Sequence, residues 1–181
     1  MKSTQKMEEN NLHTLFNFIE NQEVREKLKQ SEHRITKSFN QLFSGYALKA
    51  EDVLNDVVRV SDYNGIVEMK DIQFYSYCEH HFAPFFGTAD VYYQPHKIIT
   101  GLGKLVRLVD LHSRRLQIQE LMTKDIAEDI MRVLDAKGVF VRTKAKHLCI
   151  CSRGPSDDVT ETVATYASGS LKHWIQKVDG V

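Results

Sequence analysis

The sequence predicts an α+β protein, in which a mainly antiparallel sheet with helices follows a helical N-terminal region. Two observations support this class. Apolar residues recur at helical spacing over the first sixty residues, and after Gly65 the chain changes to runs rich in β-branched and aromatic residues. Strands that pair as hairpins around a helical insert are typical of an α+β domain. We therefore expect a helical region over residues 1–62 and a sheet domain over residues 63–181, a size that suits one domain with an extension.

The N-terminal region is predicted to contain three helices. The first, over residues 11–30, has an apolar stripe at helical spacing that consists of Leu12, Leu15, Phe16 and Ile19. A second begins at Ser31, a good N-cap residue, and ends near Gly45. A third, short helix is expected over residues 51–60, before the turn-like SDYNG.

The sheet domain is predicted to contain four strands and three helices. The first strand, residues 65–78, has one face formed by Ile72, Phe74, Ser76 and Cys78. The second, residues 84–97, ends in a turn at Gln94–His96. Helical spacing returns over residues 101–115, and a well-defined helix that stops near Gly138 carries an apolar stripe of Ile118, Met122, Ile126, Ile130 and Val133.

The rest of the domain returns to strand. Residues 139–151 place alternate side chains on one face, namely Val139, Val141, Thr143, Ala145, His147, Cys149 and Cys151. A further strand over residues 160–167 and a short helix over residues 171–178 complete the expected elements.

The charge balance, the hydrophobic pattern and the cysteine count disfavour several classes of protein. The 24 basic and 24 acidic side chains give a formal net charge of zero, so general nucleic-acid binding is disfavoured and an anionic ligand needs a local cluster of cations. The sequence has no run of apolar residues long enough to span a membrane. Three cysteines without an export signal argue against a disulfide framework, and we expect a cytoplasmic protein.

Two clusters carry chemistry. In YCEHHFAPFFG, residues 77–87, Cys78 and His81 form a C-x-x-H pair in which a strand end and the following loop present two metal ligands. Catalytic zinc takes three protein ligands and keeps an open fourth position. The second cluster, KHLCICSRG, offers Cys149 or Cys151 as the third, and the residues alone leave that choice open. A lone C-x-x-H often arises by chance, and His147 and Cys151 would also suit a core.

The two clusters belong to a larger pattern. The segments YCEHHFAPFFG, GLGKLVRLV, SRRLQIQELMT and HLCICSRG occur in the order and spacing of the GTP cyclohydrolase I family, and the resemblance runs from about Arg34 to the C-terminus. It implies the tunnelling fold, an antiparallel sheet backed by two helices. It also implies a toroidal homodecamer with active sites at subunit interfaces and conversion of GTP to 7,8-dihydroneopterin triphosphate and formate.

The resemblance assigns roles residue by residue. It implies that Zn²⁺ is held by Cys78, His81 and Cys149. His147 matches the family's proton donor to guanine N7, and His80 matches its second catalytic histidine, which handles protons or phosphate or else orients the site. The residues matching the substrate-binding positions are Gln119 and Glu120 for guanine, Lys104, Arg107 and Arg153 for the triphosphate, and Arg34 from a neighbouring subunit.

The chain departs from the family pattern in a few places. Gly103 replaces a serine assigned to phosphate contact and proton relay, Leu121 replaces a basic residue, and Pro155 and Ser156 replace an aliphatic and a basic residue. S-E-H-R stands for T-P-x-R near the N-terminus. These changes leave two alternatives open, a divergent paralogue that stops at a ring-opened product or uses another guanine nucleotide, and a non-catalytic purine-binding regulator.

Two other enzymes of the same fold are poorer matches. Pyruvoyl-pterin synthases hold zinc with three histidines, and this chain has no H-x-H. Nitrile-reducing relatives use a cysteine nucleophile without zinc, and SGSLKHW matches one of their motifs only faintly and at the wrong end of the chain.

Overall fold

A computed structural model gives the structure of the protein and describes residues 18–175. The chain divides into two compact units, Met1–Gln41 and Leu42–Val181. The first contains most of helix α1, Gln22–Leu42, which begins where the side chain of Asn21 accepts a hydrogen bond from the N–H of Val24.

Helix α1 corrects the prediction of a helix that starts at Ser31. Ser31 lies inside α1, because no glycine or proline interrupts residues 22–42 and Asn21 already supplies the cap. Of the stripe expected over residues 11–30, Leu12, Leu15 and Phe16 lie outside the described residues, and Ile19 precedes α1.

The second unit begins with short elements that only partly match the prediction. A 3₁₀ turn at Ser44–Ala47 is followed by helix α2, Ala50–Val53, and strand β1, Val57–Arg59. The helix expected over residues 51–60 is therefore wrong in its second half. There, β-branched residues pair antiparallel with strand β4, Ile98–Thr100, and this pairing outweighs the weak helical pattern.

In the described part of the chain, residues 18–175, the main sheet has five strands in the order β5-β2-β3-β6-β7. Strand β2 pairs antiparallel with β3, β3 with β6, and β6 with β7, whereas β5 runs parallel to β2. The strand bounds are β2 Val67–Cys78, β3 Pro84–Gln94, β5 Leu116–Gln117, β6 Gly138–His147 and β7 Thr162–Gly169.

Strand β3 lies at the centre of the sheet, and at Gly87 the backbone of β6 leaves no room for a side chain. Gly87 pairs with Phe74 of β2 and Ala145 of β6. A Cβ at Gly87 would lie 1.8 Å from the carbonyl oxygen of Lys144. Only glycine therefore permits this register of β6 against β3.

Two helices back the sheet. Helix α3, Leu102–Ser113, contacts β2, helix α4, Gln119–Leu134, contacts β6 and β7, and the two helices contact each other. Their buried apolar residues meet the inward side chains of the strands in one core that includes Phe74, Phe85, Leu108, Ile126, Ile130 and Val141. The predicted α+β class, with an antiparallel sheet backed by two helices, is confirmed.

A polar pair joins the two helices at the edge of this core. The side chain of His112 in α3 is nearly inaccessible, and its Nε2 lies 2.9 Å from Oδ2 of Asp129 in α4. Arg132 donates to the same carboxylate and to Glu51 of α2. Burial raises the pKa of the Asp129 carboxyl, but the hydrogen bonds from His112 and Arg132 outweigh burial, and the pKa is lowered overall.

The last strand before the second cluster ends earlier than predicted. Strand β6 stops at His147, and one helical turn, α5 at Leu148–Cys151, follows. The ladder ends at the pair Phe85–His147 because the next residue of β3 is Pro84, which has no N–H to donate. The prediction of a strand through Cys151 is therefore wrong.

The chain then continues to β7 and a 3₁₀ turn at Lys172–Trp174. The short helix expected over residues 171–178 is represented by that turn, and residues 176–178 lie outside the described part. Among the described residues, none of the helices combines the length and the apolarity that crossing a membrane requires.

Candidate active site

A cavity of about 380 Å³ opens where three segments of the second unit meet, and its volume is within the range of ligand pockets. The segments are the end of β2 with its following turn, the first turn of α4, and the end of β6 with α5. The residues that line the cavity and contribute to its chemistry are Cys78, His80, His81, Gln119, Glu120, His147, Cys149 and Thr162.

The turn between β2 and β3 fixes the first cluster. The N–H of Cys78 donates to the carbonyl of Ala83 at 2.8 Å, and the N–H of Phe82 donates to the carbonyl of Cys78 at 2.9 Å. Phe82 has a positive φ of 53°, which turns the chain back sharply. The N–H of Glu79 donates to Gln117 of β5 at 3.1 Å. Backbone hydrogen bonds therefore hold this turn on both sides.

Three donor atoms converge at the cavity. The Sγ atoms of Cys78 and Cys149 and a ring nitrogen of His81 lie within 4.8 Å of one another. Cys78 Sγ is 3.8 Å from His81 Nδ1, close to the ~3.6 Å that tetrahedral zinc geometry gives for a sulfur and a nitrogen ligand. His80 Nδ1 lies 4.0 Å from the same sulfur. The donor set fits a zinc ion with an open fourth position.

The electrostatics of the thiols also suit a cation. Burial raises the pKa of the Cys149 thiol, and the neighbouring Cys78 raises it further, because two thiolates side by side repel. Arg153 acts in the opposite direction and lowers the pKa. A divalent cation between the sulfurs would remove the repulsion and favour both thiolates. Cys149 points into the cluster because α5 turns the chain, whereas Cys151 lies outside the cluster of donors.

His147, the last residue of β6, is held on two sides. Its ring stacks on Phe85 with 4.5 Å between centroids and 3° between planes. Its Nε2 lies 2.7 Å from Oε1 of Gln119. Burial lowers the pKa of the His147 imidazole, and the nearby Glu120 carboxylate opposes that change.

The adjacent residues Gln119 and Glu120 have different environments. Gln119 is 2% exposed, and both ends of its side-chain amide are hydrogen-bonded within the protein. Its nitrogen donates to Thr143 and Thr162, and its oxygen lies against His147. Glu120 is exposed in the first turn of α4 and lines the cavity. Of the predicted guanine-binding pair, only Glu120 therefore has its side chain free for a ligand.

The predicted phosphate-binding cations are placed differently. Within residues 18–175, no lysine or arginine lines the cavity. Lys104 Nζ, on α3, instead donates to Asn55 at 3.0 Å, and Arg107 follows it on the same helix. Arg153 lies near enough to Cys149 to affect its pKa, and Arg34, in the first unit, donates to Ser31 at 3.0 Å.

Sequence reasoning missed the threonines behind this site. Thr123 of α4 and Thr143 of β6 are fully buried, and both belong to the hydrogen-bond network of Gln119. The one available signal was a hydroxyl residue, Thr143, on an inward face of otherwise apolar residues leading to His147.

A sheet-backed pocket with an open three-donor cluster, a half-buried histidine and an exposed carboxylate is the arrangement of an enzyme active site, because a structural zinc site uses four protein ligands. The family model described as GTP cyclohydrolase I matches residues 8–178. The chain belongs to the GTP cyclohydrolase I family. Its sheet backed by two helices agrees with the tunnelling fold that the resemblance implied.

Individual proteins support this assignment. GTP cyclohydrolase 1 of Sinorhizobium fredii is 42% identical over 172 residues, which cover 94% of this chain and 84% of that protein. GTP cyclohydrolase 1 of Campylobacter jejuni is 45% identical over 150 residues, which cover 83% of this chain and 79% of that protein. Among solved structures, the apo form of archaeosine synthase QueF-Like aligns with a TM-score of 0.49 at 18% identity, over 60% of this chain and 98% of that one, a likeness too distant to bear on function.

Proposed function

We propose that this protein is a GTP cyclohydrolase I, which opens the imidazole ring of GTP at C8 and forms 7,8-dihydroneopterin triphosphate and formate. The observation that carries the proposal is the convergence of Cys78, His81 and Cys149 beside His147 and Glu120 in one cavity. Membership of a family whose curated relatives are named GTP cyclohydrolase 1 supports the same substrate.

The metal in this proposal is Zn²⁺, held by Cys78, His81 and Cys149. A zinc ion with one open position supplies a hydroxide nucleophile near neutral pH and acts as a Lewis acid. The protein orients the ligands through the backbone hydrogen bonds of the turn after β2. His80, whose ring also approaches Cys78, is proposed to handle protons at the edge of the same cluster.

His147 is proposed to protonate guanine N7 while an oxygen derived from water adds to C8. Guanine C8 is a weak electrophile, and a proton on N7 draws electrons from it. Burial lowers the pKa of His147 and therefore makes its protonated form a stronger acid. Stacking on Phe85 fixes the plane of the ring, so that the proton is delivered in one direction.

Glu120 is proposed to recognise guanine. Its carboxylate offers two oxygens to the two donors of the base, the N1–H and the 2-amino group. Adenine has no donor at N1, so a carboxylate at this position favours guanine. Gln119 adjoins Glu120 in the sequence, but its amide is bonded to other protein groups.

The triphosphate carries about four negative charges that the cavity does not neutralise, because no described lysine or arginine lines it. We propose that Lys104, Arg107, Arg153 and the Arg34 of a neighbouring copy bind the phosphates in a homo-oligomer. A decamer with interface sites is the form that the family resemblance implies. In this proposal residues 63–181 carry the chemistry, and residues 1–62 contribute Arg34.

The test is incubation of zinc-loaded protein with GTP, identification of products by mass spectrometry and a parallel assay of formate. We expect dihydroneopterin triphosphate with one equivalent of formate, and loss of both after zinc is removed by a chelator. Unchanged GTP would refute the proposal. If GTP still bound without turnover, the purine-binding regulator would replace it.

One observation favours a second candidate, an enzyme that releases a ring-opened product. Gly103, which replaces the family's serine, has nothing within 4 Å of the position of a Cβ, so steric crowding does not require glycine. Loss of the hydroxyl would weaken the steps after ring opening, since a positioned proton donor contributes ~10²–10⁴-fold. This candidate would be supported if the parent protein released a ring-opened formamide from GTP and the Gly103→Ser variant released the pterin instead.

A further inference from the structure

We propose that Gln119 is a positioning residue for His147 rather than a contact of guanine, and that Thr143 and Thr123 hold it in place. This inference deepens the proposed function and rests on it for the role of His147. It differs from the role expected of Gln119 from the family resemblance, which was to bind the base.

The hydrogen bonds of Gln119 form a closed circuit whose directions follow from the donors available. Thr123 Oγ1 donates to the backbone carbonyl of Gln119 at 2.7 Å. A hydroxyl has one hydrogen, so the 2.7 Å contact between Thr123 and Thr143 must be donated by Thr143. Thr143 Oγ1 then accepts from Gln119 Nε2 at 3.0 Å. All three residues are at most 2% exposed, so water does not compete.

This circuit fixes which end of the amide faces His147. Gln119 Nε2 lies 3.2 Å from the carbonyl of Thr143 and 3.1 Å from that of Thr162, both of which only accept. The amide nitrogen must stay on that side, because a flipped amide would place its oxygen against two carbonyl oxygens. Oε1 therefore faces His147, whose Nε2 must carry a hydrogen in order to donate across 2.7 Å.

The consequence concerns the nitrogen that acts on the substrate. Since Nε2–H of His147 is bonded to Gln119, the proton exchanged with guanine N7 leaves from Nδ1. The ring is thereby held by Gln119 at one nitrogen and by Phe85 across its face. Loss of this support should slow the proton transfer and leave the binding of GTP unchanged.

The experiment compares four variants of the full-length, zinc-loaded protein. Gln119→Met removes the acceptor, Thr143→Val removes the hydroxyl at constant shape, and Thr143→Ser restores it. Thr165→Val is the matched control, a Thr→Val change on neighbouring β7 that pairs with Arg142. For each we measure kcat and KM for GTP and the melting temperature. We also record the Nε2–H resonance of His147 in ¹⁵N-histidine-labelled protein, assigned with His147→Asn.

We expect Gln119→Met to lower kcat by about 10- to 100-fold, the usual loss for an orienting partner, with KM within about twofold. Thr143→Val should lower kcat less, because two carbonyl acceptors remain, and both variants should make the Nε2–H proton exchange faster with water. Thr143→Ser and Thr165→Val should behave as the parent protein.

Several results would overturn the inference. A raised KM at constant kcat in Gln119→Met would make Gln119 a guanine contact. Equal effects of Thr143→Ser and Thr143→Val would indicate packing rather than hydrogen bonding, and if Gln119→Met did not fold, this comparison would decide. Absence of GTP turnover would refute the proposed function, while the Nε2–H resonance would still test the positioning.

Discussion

Substitution of Glu120 by Gln should weaken both catalysis and the recognition of guanine. The carboxylate lines the cavity and is exposed in the first turn of α4, so the substitution leaves the core intact. An amide keeps one acceptor but places an NH₂ group against a donor of the base. One charged hydrogen bond, about 1.5–3 kcal/mol, is lost, and a second is replaced by a donor–donor contact. We expect a total near 3 kcal/mol, or about a hundredfold in kcat/KM for GTP.

Inosine triphosphate, which lacks the 2-amino group, makes the assay specific. The parent protein should prefer GTP to inosine triphosphate by about 10- to 100-fold, the value of one charged hydrogen bond. In Glu120→Gln this preference should nearly vanish. Glu128→Gln is the matched control, since Glu128 is exposed on the same helix outside the cavity. An unchanged preference in Glu120→Gln, or the same loss in Glu128→Gln, would refute the reasoning.

Three further predictions concern the metal and the fold. Cys149→Ser should lose zinc, measured as metal per chain by mass spectrometry, whereas Cys151→Ser should keep it; one zinc retained in Cys149→Ser would contradict the donor set. Asp129→Asn should lower the free energy of urea unfolding at pH 7 by about 1.5–3 kcal/mol at fixed protein concentration, since it removes charged hydrogen bonds. Because the pKa of Asp129 is lowered in the folded state, the difference should be full above the unfolded value of about 4 and disappear as the pH falls through the folded pKa; a difference that persisted at low pH would be inconsistent with this origin. Gly87→Ala should destabilise by ~1–3 kcal/mol or more, because its Cβ meets the β6 backbone, while Gly103→Ala should cost nothing; equal effects of the two would disprove the steric account.

The sheet domain was largely readable from the sequence because its strands and helices bury one face each. The period of two in β2 correctly placed Ile72, Phe74, Ser76 and Cys78 on its buried face. Local pattern failed where tertiary pairing decides the conformation. Residues 57–59 are a strand because β4 lies beside them, which no local window contains.

The convergence of the three potential metal ligands could be expected from the sequence, but the hydrogen bonds that position the site could not. Cys78 and His81 lie close in sequence, and the family resemblance selected Cys149, but the helical turn that carries Cys149 depends on where β3 ends, at Pro84. The bonding of Gln119 could not be predicted, because its partners come from two strands far away in the sequence. Gln119 and Glu120 are adjacent polar residues with the same expected role in the sequence, and only the burial of Gln119 and the exposure of Glu120 distinguish their roles.

The position of β3 between β2 and β6 has a consequence for how the protein would acquire the proposed zinc ion. Cys78 and His81 follow β2, Cys149 follows β6, and the long segment between them includes α3 and α4. The donors therefore come together only after β3 has paired on both sides, which makes the cluster a late product of folding that depends on long-range contacts. Since the unfolded chain offers no such cluster, a bound ion stabilises only the assembled sheet. The amount of metal bound per chain should therefore measure how much of the protein has folded completely. Removal of the ion should accelerate the separation of β3 from β6 during unfolding.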